Sequence, residues 1–552
     1  MQQIMDMATV ALRIIMPLYA LIIVYQCFAS MRRSRRPKTP LVSLCSKIGG
    51  QDIPVLFWEN TIGRAKGSDI YLPDPAVSRD HCVLLRRAEG WFITDTGSKS
   101  GTYINGKKVK GRTNVYIGDD ITLGGQTFKF SRGDAFDGEL PFSWYFKESK
   151  DKPYISPGKL LLLVNVFHFM MAVAASFSFD VQDYMPMAIF AAVTVLGWLF
   201  FGISAKLLHR HNFELETLGL FFSGIGITLL VRQAFNMAVN QLAACVIGIV
   251  FFMIVLRFIK NPDIVSKWRL PIMIAAGVLL AVNLALGASR FGQSNWVYIG
   301  PISVQPSEFI KVAYIFVGAA TLDELQTKHN FITFLAFTGV CIGSLAIMGD
   351  YGTSLIFFTM FMIVAFMRSG HVRTIILSCA GAVGGLAVIL SFRAYALDRF
   401  KAWGHVWEYA QSDTYQQSRV LTYTASGGLF GVGIGNGVLK GLGASESDLV
   451  FGILAEEMGI IMAIVTVVAI CALLFYSRAV TTRSRSTFYS IAANCAAGLL
   501  VIQMSLNIFG ATDILPLTGV TLPFISMGGS SLISVWGLLA FIKAADERTF
   551  YS

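Results

Sequence analysis

Two hydrophobic rhythms divide this chain. Residues 8–30 are apolar almost throughout, with Arg13 near one end; at ~1.5 Å rise per residue such a run is long enough to cross a hydrocarbon core of ~30 Å. Residues 48 to about 132 instead alternate in short runs (WFITD, TYING, ITLGG, FKF) separated by Gly, Asp, Asn and Pro. A period of two with such punctuation predicts the strands of an all-β sandwich, and Asn105-Gly106 between apolar positions predicts a hairpin. Residues 133–157 are polar, mixed in charge and contain Pro141, Pro153 and Pro157, which predicts a linker with a candidate surface aromatic element at Phe142–Phe146. From 158 onward long apolar runs return. They predict helices near 159–179, 185–205, 215–232, 238–259, 270–287, 306–321, 331–348, 351–368, 373–391, 449–476, 488–510 and 526–544.

The expected fold is a polytopic α-helical membrane protein. It has an N-terminal anchor with a basic stop (1–38), a β sandwich (48–132), a linker (133–157) and a membrane domain of about twelve helices (158–552). Composition agrees: of 552 residues 54% are hydrophobic and 14% charged, where a soluble domain carries about 25% charged residues. The net charge of +11 reads as cytoplasmic loop charge and not as a nucleic-acid footprint. Arg32, Arg33, Arg35, Arg36 and Lys38 follow the first apolar run, which puts the N-terminus outside and the sandwich in the cytoplasm. The short basic loops 206–211, 259–269, 367–373 and 476–485 then fall inside with the C-terminus, and the long loop 392–448 falls outside. The eight cysteines form no CxxC pair, so packed thiols are expected rather than a disulfide framework or zinc site.

Candidate chemistry concentrates in Ser426–Gly459. A glycine-rich loop, expected to be flexible, runs into an apolar helix, with Asp448 at the join and Glu456 and Glu457 beyond it. Eight helical residues at ~1.5 Å each put Glu456 about 12 Å deeper than Asp448. An acid where a membrane helix meets water is a functional candidate; the alternative is a helix start that favours an acid in its first turn.

SGGLFGVGIGNG with SDLVFGILAEEMG, RFGQSNWVYIGPISVQPSEFIKVA (290–313) and LPLTGVTLPFISMGGSS (515–531) together resemble the SEDS family. These are the FtsW/RodA/SpoVE membrane glycosyltransferases that polymerise lipid II, and the likeness spans about 213–552. It implies extension of glycan strands from undecaprenyl-pyrophosphate-linked lipid II at the outer face of a bacterial plasma membrane, with a class B penicillin-binding transpeptidase as partner. Asp448 matches the aspartate taken as the family's general base, although Glu446-Ser447 before it depart from the usual pattern. Such a reaction needs cations near the leaving pyrophosphate, for which Arg290, Lys311 and Arg419 are candidates. Glu308 and Lys311, one helical turn apart, could instead only neutralise each other. Trp296 could stack on a sugar or mark the membrane interface. Asp350 opens DYGTSL, which resembles a family motif; it could line the cavity or hold Mg²⁺ or Mn²⁺. Pro516, Gly519, Pro523 and Gly528–Ser531 predict broken backbone lining the same cavity, or small residues serving helix packing alone, with Ser526 a substrate-binding candidate.

The sandwich resembles a forkhead-associated (FHA) domain through IGR (62–64), SRDH (78–81) and SKSGTYING (98–106). That likeness implies phosphothreonine binding by Arg64 and Ser78, with Arg79 beside them, and a phosphorylated protein or Ser/Thr kinase as partner. Ser100 stands where the family commonly has Asn, His81 has a structural role in the family, and phosphate-independent docking is the alternative. For the whole chain, a lipid II transporter and a scaffold without catalysis are the rival functions.

Overall fold

The computed structural model describes residues 2–31, 40–47, 52–65, 68–87, 89–136, 155–177, 183–206, 212–290, 293–300, 302–323, 328–369, 372–392, 401–481 and 486–546. The aromatic element at Phe142–Phe146, the basic cluster Arg32–Lys38 and most of the 206–211 loop lie outside them. The chain divides into two units, one of residues 32–154 with 482–487 and one of 1–31, 155–481 and 488–552.

The first unit is a sandwich of two sheets. One runs in the order Ile53–Val55, Val42–Ser46, Gln126–Arg132, Asp120–Leu123, Thr102–Ile104, Lys107–Lys108. The other runs Ile70–Tyr71, Glu59–Gly63, Cys82–Arg87, Gly90–Asp95, Arg112–Val115. All neighbours are antiparallel except Glu59–Gly63 with Ile70–Tyr71. The period-two pattern is realised directly: Cys82 pairs with Asp95 and Leu84 with Ile93, so Leu84 and Ile93 share the inner face, where Leu44, Ile121, Leu123 and Phe130 also sit fully buried. Trp91 closes this core edge-on against Phe130 at 5.6 Å. At the foreseen hairpin Asn105 and Gly106 have φ of 48° and 77°, the two positive values of a type I′ turn.

In the second unit helices stand at all twelve predicted segments. Among the described residues eight helices, the N-terminal one included, are long and apolar enough to cross a membrane. Glu214–Val231 is buried along its whole length, which is why it lacks a polar face. The N-terminal helix Gln2–Met31 packs against Pro157–Ser176, Glu214–Val231 and Ile460–Thr481, and near its C-terminal end Ser30 donates to Glu214 at 2.8 Å.

Two features differ from the sequence expectation. Between the helices expected at 270–287 and 306–321, where no element was predicted, stand short antiparallel strands, Ala288–Arg290, Gln293–Ile299 and Ile302–Val304. The predicted helix 449–476 is broken: Val450–Met458 stops at Gly459 (φ 89°) and Ile460–Thr481 starts anew. The break is stable because the carbonyls of Gly428 and Leu429 accept the N–H groups of Ile460 and Ile461, the orphan donors of the new helix start. Glu456 therefore belongs to a separate nine-residue helix and not to the long span Ile460–Thr481.

Candidate functional site

Asp448 lies two residues before Val450–Met458 and is half-buried. So short a helix is not stable alone. It is held by an apolar cluster of Val420, Leu439, Leu449, Ile453 and Ala511, to which the helix Tyr415–Gly427 contributes Val420. The backbone leading into it is fixed at three successive carbonyls. Glu446 accepts from the Met527 N–H at 2.8 Å, Ser447 from Ser526 Oγ at 2.5 Å, and Asp448 from Asn507 Nδ2 at 2.9 Å. The changed residues before Asp448 thus still dock onto the 515–531 motif, because the docking uses main-chain atoms. Ser526 is buried, its Oγ also accepting from the Leu522 N–H, and Gln241 bonds the Ser526 carbonyl and the Gly528 N–H.

The same network reaches the 290–313 motif. The Gln305 N–H donates to Ser530 Oγ at 3.1 Å, Thr521 and Ser531 hydroxyls bond at 2.7 Å, and Gln503 donates to Thr521. Lys311 bonds Glu308 at 2.8 Å and Gln503 at 3.4 Å, with Lys311 and Glu308 both buried. The lysine's charge is therefore taken up inside the fold, and of its two sequence readings the structure displays the self-neutralising pair. Asp350 is buried as well. It receives Asn295 Nδ2 at 2.6 Å, Gln305 Nε2 at 3.4 Å and the Thr353 N–H at 3.0 Å, the last as the cap of helix Tyr351–Ser369. One carboxylate with both oxygens occupied by N–H donors does not fit Mg²⁺ or Mn²⁺, which require several oxygen ligands. Among the described residues no group of three His, Cys, Asp or Glu is placed to hold a metal ion.

Trp296 is half-buried in the middle strand of the small sheet, opposite Ala288. Arg419 stacks over Tyr415 of its own helix at 5.1 Å, next to the Val420 that supports Leu449. Arg290 ends a strand, and its side chain lies outside the described residues.

The glycine-rich loop, expected to be flexible, is tied down. Glu457 accepts the N–H groups of Gly435 (2.8 Å) and Gly437 (3.3 Å), and Glu456 those of Val438 (2.8 Å) and Leu439 (3.0 Å). The main-chain carbonyls of Glu456 and Glu457 accept Val432 and Gly433. These two acids, buried in the fold, are thus the anchor of the loop that leads to Asp448, which accounts for both the acids and the glycines without a role in proton transfer.

A sequence profile of the cell cycle proteins FtsW/RodA/SpoVE matches residues 213–550, more than half of the chain. The chain belongs to this family. Stage V sporulation protein E of Bacillus subtilis (strain 168) is 29% identical over 311 residues, 54% of this chain and 84% of that protein. The probable peptidoglycan glycosyltransferase FtsW of the same strain is 27% identical over 335 residues, covering 57% and 82%. A crystal structure of Thermus thermophilus RodA covers 62% of this chain and 98% of its own at a TM-score of 0.46 and 21% identity.

Unlike the helices of the matched region, Gln2–Met31, Pro157–Ser176 and Met185–Lys206 precede the FtsW/RodA/SpoVE match. Within that match, the side chains that join the motifs are amides the sequence reading passed over: Gln241, Asn295, Gln305, Gln503 and Asn507. A signal existed for two of them. Gln503 and Asn507 are four apart in the apolar helix Thr487–Ala511, hence on one face, and polar groups in such helices face the protein interior.

In the sandwich, Arg64 and Arg79 are exposed on neighbouring loops joined by the Arg64 N–H to the Ser78 carbonyl (2.9 Å) and the Ala65 N–H to the Arg79 carbonyl (3.0 Å). Ser78 Oγ accepts the Lys99 N–H at 2.9 Å, which leaves its own O–H to donate. Ser100 is exposed and its Oγ donates to the Ala76 carbonyl. His81 is fully buried. Its Nδ1 accepts the Ser78 N–H at 3.1 Å, so Nε2 carries the proton and donates to the Gly101 carbonyl at 3.2 Å. That ring staples the Ser78 loop to the Gly101 loop and is structural. An FHA profile matches residues 60–124, and this unit is an FHA domain.

Proposed function

We propose that this chain is a peptidoglycan glycosyltransferase that polymerises lipid II, with Asp448 as general base. The observation that supports it is the joining of the 290–313 and 515–531 motifs, through Ser530, Thr521, Gln503 and Ser526, to the main chain that presents Asp448. The carboxylate takes the proton of an acceptor sugar hydroxyl as that oxygen bonds the anomeric carbon of the donor. The carbon–oxygen bond to pyrophosphate breaks, and the electron pair leaves with undecaprenyl pyrophosphate. Of the three basic candidates for that leaving group, Lys311 is committed to Glu308, so Arg419 and Arg290 are favoured. A transpeptidase partner follows from the family, whose members form strands without cross-linking them. The FHA domain adds regulation through a phosphothreonine protein, read by Arg64, Arg79 and the Ser78 hydroxyl.

The orientation that suits this chemistry has Asp448 outside and the FHA domain in the cytoplasm. The test is incubation of the purified protein with lipid II, followed by separation of products on a gel. Strands support the transferase; their absence together with lipid II movement across vesicles supports a transporter, and the absence of both a scaffold. Labelling of intact cells should modify Ser412→Cys and spare Ser98→Cys, and the opposite pattern would overturn the orientation.

A further inference from the structure

The N-terminal helix Gln2–Met31 lies outside the family-matched residues, yet it touches the machinery around Asp448. An arginine in an apolar helix is costly unless it meets protein or water, and its partner is the clue to its role. Arg13 is half-buried, and its partner is the glycine loop. Its Nη1 lies 3.5 Å from the Gly431 carbonyl, and the face of its guanidinium lies on Gly433. A Cβ built at Gly433 would fall 2.6 Å from Nη2 and 2.9 Å from Cζ, closer than any real contact. Gly433 also has φ of 104°, so its lack of a side chain serves both the turn and the arginine. Arg13, Met16, Gly433, Ile434 and Asn436 line one small cavity, which places the helix directly against the loop.

Gly433 is the point at which this contact can matter. Its N–H bonds the Glu457 carbonyl, and the residues after it carry the N–H groups that hold the Glu457 and Glu456 carboxylates. Those acids form the last turn of Val450–Met458, the helix that follows Asp448. We propose that Arg13 is a positioning residue of the transferase: it fixes the glycine loop on the end of this short helix and so sets where Asp448 stands. The N-terminal helix is then part of the site's support and not only a membrane anchor. This inference rests on the transferase reading for its catalytic consequence, but the hold on the loop is measurable without activity.

The test uses the full chain in detergent or nanodiscs, as wild type, Arg13→Ala and Arg13→Lys, with the exposed Tyr25→Ala on the same helix as a control. Hydrogen exchange is read over residues 428–440. In Arg13→Ala the amides of Gly433, Gly435, Gly437, Val438 and Leu439 should exchange ~10-fold faster, with Thr487–Ala511 unchanged as evidence of an intact fold. Arg13→Lys, which keeps a donor and a charge, should be intermediate. With lipid II, Arg13→Ala should lose roughly 10- to 100-fold in kcat with little change in KM, the pattern of a displaced group and not of lost substrate binding. Unchanged exchange in Arg13→Ala would overturn the proposal, as would wild-type kcat from that variant. A wild-type protein that makes no strands would sink the transferase reading instead, and the exchange would still decide whether Arg13 holds the loop.

Discussion

Asn507 donates one amide hydrogen to the carbonyl of Asp448 at 2.9 Å and the other to the carbonyl of Val520 at 2.8 Å. A single buried side chain thus ties the proposed base to the 515–531 motif. Asn507→Leu removes both donors and leaves two carbonyls to find others, at about 1–3 kcal/mol each if they stay unsatisfied. We expect a folded protein with strand synthesis reduced at least tenfold. Product length on a gel, compared with the melting temperature in detergent, checks this; wild-type synthesis by Asn507→Leu would show that the tether does not position Asp448.

Glu308 and Lys311 form an ion pair with almost no solvent around it. Breaking a buried pair by removing one partner typically costs about 3–5 kcal/mol, because the other charge is left alone, whereas replacing both can be nearly neutral. Lys311→Met should therefore melt well below the wild type, and Glu308→Gln with Lys311→Met should recover much of the loss. If the double variant is stable but inactive, the pair also serves the substrate; if the single variant melts like the wild type, the pair is not a structural element.

The pairing also shows what the sequence could and could not reveal. Spacing alone placed Glu308 and Lys311 on one helical face, and apolar runs placed the helices, because both follow from the 3.6-residue repeat. The FHA sandwich was legible for the same reason at a period of two, down to the Asn105-Gly106 turn. What stayed hidden depends on distant partners. Nothing local to Glu456 and Glu457 indicates that their carboxylates receive four loop N–H groups from Gly435 to Leu439, and so the loop read as flexible and the two acids were given no role. Nor does an apolar run announce that Gly428 and Leu429 will cap a second helix at Ile460. Asp350 read as a cavity or metal carboxylate because its three donors come from Asn295, Gln305 and Thr353, two of them some 45 to 55 residues away.

Asp95 gives the FHA domain an acid limit. Burial alone would raise its carboxyl, but hydrogen bonds from the Ser98 and Thr102 hydroxyls and from the Ser98 and Gly97 N–H groups outweigh burial and bring it down to about 2. A carboxyl lowered in the folded state stabilises above its unfolded value, and that contribution fades as pH falls from about 4 towards 2. Denaturant unfolding of the sandwich at several pH values should show wild type losing stability across that window. Asp95→Asn should be less stable at pH 7 and flatter below pH 4; an equal slope in both proteins would contradict the assignment.

In the proposed reading Arg64 meets a phosphate together with the Ser78 hydroxyl, whose oxygen accepts the Lys99 N–H. Losing one charge-assisted contact should cost on the order of 1.5–3 kcal/mol, about ten- to a hundredfold in affinity. Titration of phosphothreonine peptides into wild type and Arg64→Ala measures it. Equal binding of phosphorylated and plain peptides would leave the domain as a phosphate-independent dock.

The central claim is that Asp448 removes the proton from the acceptor sugar. Positioned general bases contribute ~10²–10⁴-fold. Asp448→Asn keeps the size of the side chain and leaves untouched the main-chain carbonyls of Glu446, Ser447 and Asp448 that hold the segment. The most direct measurement is glycan length after incubating purified wild type and Asp448→Asn with lipid II and the proposed partner, a class B penicillin-binding transpeptidase. The account predicts long strands from the wild type and none from a variant that melts at the same temperature; long strands from Asp448→Asn would contradict it.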